Sequence, residues 1–108
     1  MVEKKADLSA QVGVLGSLLI QPELLGRAVA LLRPQDFTNP TYRAVYSAMC
    51  QLFQEGHNAD TLLVRDKLGA AYDGLLMQLM ELTPSAAAFE EYAAIVREQA
   101  QVHHIHQA

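Results

Sequence analysis

Apolar residues in this chain recur at intervals of three and four, and no stretch alternates apolar with polar residues over several positions. That spacing builds helices that each bury one face, and it leaves no half-buried strand to pair. Tyr42, Val45, Tyr46, Met49, Leu52 and Phe53 make the strongest such face, which runs out at Gly56. Leu8, Val12, Leu15 and Leu19 make another, flanked by Val14 and Leu18. Tyr72, Leu75, Leu76, Leu79 and Leu82 make a third, and Phe89, Tyr92, Val96, Ala100 and His103 a fourth.

Helix signals punctuate these faces. Pro22 opens a segment from Glu23 to about Leu32, with an acid in its first turn where the helix dipole favours one, and Pro34 closes it. Asn39-Pro40 places a capping side chain just ahead of a proline, which loses nothing at the first helical position. Asp60 is positioned to cap a short helix through Leu68, and Gly69 to stop it. Thr83-Pro84 repeats the cap-plus-proline signal and predicts that the last helix begins there. The expected fold is all-α: one compact domain over residues 1–108, built from five or six short helices. Gly13, Gly16 and Ser17 lie inside the first helix. A glycine there costs about 1 kcal/mol relative to alanine, so close approach of another backbone within the domain is expected at these positions.

At 108 residues the chain can bury roughly two thirds of its unfolded surface, which suffices for one core without disulfide or metal. No apolar run approaches the ~18 residues of a membrane span. Glu3, Lys4, Lys5 and Asp7 at the start do not read as a secretory signal. The single cysteine excludes an internal disulfide framework and fits a cytoplasmic setting. The formal charge is −4, with Arg27, Arg33, Arg43, Arg65 and Lys67 scattered among acids. A nucleic-acid module needs a basic patch to neutralise phosphates, so direct DNA binding is not expected.

Chemistry is sparse. There is no glycine-rich phosphate loop and no nucleophile elbow. Cys50, among Tyr46, Met49 and Phe53, reads as a buried inert thiol. Glu90, Glu91 and Glu98 read as a solvated helix face. Tyr42, Tyr46, Tyr72 and Tyr92 read as core residues with satisfied hydroxyls. His103, His104 and His106 cluster near the end, two of them on one helix face, without a nearby third or fourth ligand of suitable spacing. No catalytic, cofactor-binding or metal-binding residue is therefore assigned. Ile95 and Val102 fall off the apolar stripe of their helix and form a candidate self-association surface.

Four segments occur in a telling order: Val14 to Leu19, Pro34 to Phe37, Arg43 to Tyr46, and Thr83 to Ser85 with Tyr92 to Glu98. Together they resemble the N-terminal domain of bacterial replicative DNA helicases of the DnaB type, over about Leu8 to Ala100. The matching positions include Leu15, Gly16, Asp36, Phe37, Arg43, Tyr46, Tyr92 and Arg97. They read mainly as structural: Asp36 caps a turn, Phe37 plugs the core beneath it, Arg43 is exposed or pairs with a carboxylate such as Asp36, and Arg97 faces solvent. In that family the domain is a non-catalytic helical head that precedes a hairpin, a linker and a RecA-like motor, where ATP and Mg bind. The last helix here would be the start of that hairpin. The resemblance implies self-association as a dimer, or a trimer of dimers in a ring of six, and docking of primase, with a helicase loader as a further partner. Three alternatives stand beside it: the helicase-binding C-terminal domain of a bacterial primase, a small metal-binding protein using the terminal histidines, and a single-strand DNA binder.

Overall fold

The computed structural model describes the backbone of residues 8–107 and the side chains of residues 8–101. Val102 and the three terminal histidines therefore lie outside the described side chains. Six α-helices follow one another: α1 (Ser9–Ile20), α2 (Leu25–Leu31), α3 (Pro40–Gln54), α4 (Thr61–Leu68), α5 (Asp73–Glu81) and α6 (Phe89–Gln107). Short 3₁₀ turns at Pro22–Leu24, Pro34–Asp36 and Ala70–Tyr72 link some of them, and there is no strand among the described residues.

The punctuation works largely as its chemistry dictates. The Asn39 side chain accepts the Tyr42 amide proton at 3.0 Å, with Pro40 in the first turn of α3. Asp60 accepts from Leu62 N at 2.9 Å and Leu63 N at 3.4 Å at the start of α4. Each such cap is worth about 1 kcal/mol. Gly56 (φ 89°) and Gly69 (φ 98°) end α3 and α4 in the left-handed region, where a side chain would clash with its own backbone.

Residues from all six helices join one buried cluster. Helix α1 sits at its centre, packed most extensively against α6 and α5. The expected one-sided stripe on α1 is not what forms. Val14, Leu15 and Leu18 are fully buried, as are Gly13, Gly16 and Ser17 on the other side, whereas Val12 is only half-buried. A central helix is covered all round, so its sequence carries little amphipathic contrast.

The small residues of α1 explain how it is covered. A Cβ on Gly13 would meet the Tyr92 ring of α6. One on Gly16 would meet the Thr83 hydroxyl and come within 2.6 Å of the Leu79 carbonyl oxygen. The two glycines thus let α6 and the end of α5 seat directly on the α1 backbone.

That packing overturns the expected start of the last helix. Thr83 does not cap α6, which begins at Phe89. Its hydroxyl is buried and donates to Leu79 O at 2.9 Å, one turn back at the end of α5. It also lies 3.5 Å from Val12 O of α1. Burial against Gly16 ties Thr83 to the preceding helix, and Pro84 then falls in a bent connection. There Ser85 Oγ accepts the Ala87 N–H at 3.0 Å. Leu82, expected in the core, is 59% exposed for the same reason: the chain turns off α5 there to deliver Thr83, rather than Leu82, to α1.

Candidate docking surface

The residues singled out by sequence divide into those that hold the fold and those that face out. Asp36 accepts the Arg33 backbone N–H at 2.9 Å and so closes the turn after α2. Phe37 follows it into the core, fully buried, with its ring centroid 4.8 Å from that of Tyr46. Gln11, on α1, holds the adjoining strand of chain by donating to Thr38 Oγ1 at 2.8 Å. Arg43 is exposed as expected, yet its partners are carbonyls rather than a carboxylate. Its Nε donates to Phe37 O at 2.9 Å and its Nη2 reaches Thr38 O at 3.4 Å. A helix that starts at Pro40 aims residue 43 back over the incoming chain, where orphan carbonyls need donors.

Tyr46 is fully buried, and its hydroxyl donates to Leu32 O at 3.0 Å, locking α3 to the end of α2. Burial, then the neighbouring Cys50 thiol and Asp36 carboxylate, push its ionisation well above the usual tyrosine range. Cys50 is half-buried rather than buried, and burial raises its thiol too, against the pull of its hydrogen bond with Tyr46. A thiol held protonated in this way is a poor nucleophile. The sign of the Tyr46 effect gives a pH prediction. The folded phenol stays neutral while the unfolded one ionises near the ordinary value of about 10, so its stabilisation is complete below that pH and declines above it. Urea unfolding from pH 9 upward should reveal this decline, and Tyr46→Phe should flatten it.

Outward-facing features concentrate on α6. Phe89, Ala93, Val96 and Ala100 point into the core, which leaves Ile95, 40% exposed, on an outer face with Glu91 and Glu98. On the other flank, α6 and α2 border an open groove lined by Leu31, Ala93, Ala94 and Gln101, with Arg27, Arg97, Glu90 and Glu98 at its edges. Arg27 on α2 bridges to Glu90 on α6 at 2.5 Å, both more than half exposed, which contributes at most about 1 kcal/mol. Sequence spacing flags Ile95 but cannot reveal this groove, because Leu31 and Ala94 come from helices far apart in the chain. No group of three or more His, Cys, Asp or Glu able to hold a metal exists among the described residues. Among the described residues, no single helix is long and apolar enough to cross a membrane.

A family described as the DnaB-like helicase N-terminal domain matches residues 3–98. The replicative DNA helicase DnaB of Mycobacterium leprae is 34% identical over 104 residues, which cover 87% of this chain and 17% of that protein. The replicative DNA helicase DnaC of Bacillus subtilis is 31% identical over 103 residues, 86% of this chain and 22% of that protein. The chain thus spans about a fifth of the length of these relatives. Among solved structures, the N-terminal domain of the Mycobacterium tuberculosis DnaB helicase superposes with a TM-score of 0.80 at 32% identity, covering 94% of this chain and 78% of that one. The N-terminal domain of the Helicobacter pylori DnaB helicase, described together with its interactions with primase, gives 0.79 at 15% identity, covering 98% and 91%, and shares the fold.

Proposed function

The chain belongs to the DnaB-like helicase N-terminal domain family, and we propose that it serves as the assembly and docking head of a cytoplasmic replicative helicase, carrying no chemistry of its own. In this reading, ATP and Mg act in a separate motor domain of the whole protein, and the head joins copies of itself, as a dimer or as a trimer of dimers in a ring of six. It also receives primase, with a helicase loader as a further partner. The match over residues 3–98 carries the reading. Support for primase docking comes from the Helicobacter pylori domain, described with its primase interactions, and for self-association from the exposed apolar Ile95 on the outer face of α6.

Sedimentation tests both halves. The chain alone should associate as its concentration rises, and Ile95→Glu should weaken that association at least tenfold, because a charge would have to lose water to enter the contact. Addition of a bacterial primase C-terminal domain should give a co-sedimenting complex. A chain that stays strictly monomeric at high concentration and ignores primase would overturn the proposal.

A further inference from the structure

We draw no further inference here: the strongest candidate, the open groove between α2 and α6 with the cleft at Arg33 and Arg97 that continues it, is lined by as many carboxylates (Asp36, Glu90, Glu98) as arginines (Arg27, Arg33, Arg97), and nothing in the structure shows what covers it.

Discussion

Phe37→Ala is expected to lower the unfolding free energy by about 3–5 kcal/mol, the range for emptying a buried aromatic site. The ring is fully buried and stacks at a tilt of 31° on Tyr46, itself fully buried. Deleting it removes the transfer free energy of the ring and leaves a void beneath the turn after α2, beside Tyr46 of α3. These neighbours have little freedom to collapse. Asp36 pins one side of the turn through Arg33 N, and Arg43 pins the other through the Phe37 and Thr38 carbonyls. Such a loss is a large share of the ~5–15 kcal/mol that holds a domain of this size together. Urea unfolding followed by circular dichroism measures it. Phe37→Leu, which refills most of the volume, should recover more than half of the loss. A Phe37→Ala chain less than about 1.5 kcal/mol below the parent would mean that the ring is not the plug described here.

Gly16→Ala comes next, at about 1–3 kcal/mol, the usual cost of overpacking a filled core. The direction runs against helix propensity, which favours alanine by about 1 kcal/mol. The added methyl would strike the Thr83 hydroxyl and press on the Leu79 carbonyl, and that carbonyl belongs to the backbone of α5, which cannot rotate away. Relief requires α5 to move off α1. The Thr83 hydrogen bond to Leu79 O would be strained in the process. Gly74→Ala supplies the opposite case. Gly74 lies in α5, and an added Cβ meets nothing within 4 Å, so propensity alone should act and raise stability by up to about 1 kcal/mol. If both substitutions stabilise the chain, the close seating of α5 on α1 is wrong.

Much of the architecture could be read along the chain. Asn39, Asp60, Gly56 and Gly69 act through bonds and dihedral angles within a few residues of themselves, so their meaning does not depend on the rest of the fold. Asp36 and Phe37 were legible for the same reason: a short turn forces an acid onto an amide and aims the next residue inward. Ile95 was legible because a surface helix has a fixed apolar face, and a residue outside it must project elsewhere.

Thr83 marks where such reading fails. It carries a strong local capping signal, but a partner 67 residues away, Gly16, has no Cβ and leaves a socket that its side chain fills. Burial and a bond to Leu79 O then outweigh a cap that would have begun α6 five residues early. The same limit hid the groove. Arg33 and Arg97 lie in different helical neighbourhoods of the sequence, and only the packing of α2 beside α6 makes them neighbours.

The sequence by itself determined that the chain is helical and where most helices start and stop, because caps, breakers and three-to-four spacing are short-range physics; its family was legible only through the resemblance of four ordered segments to known domains. Only the tertiary structure decided that α1 is covered on nearly every side, where α6 begins and which charges share a cleft. Those outcomes depend on contacts between residues far apart in the chain, whose free energy no local pattern encodes.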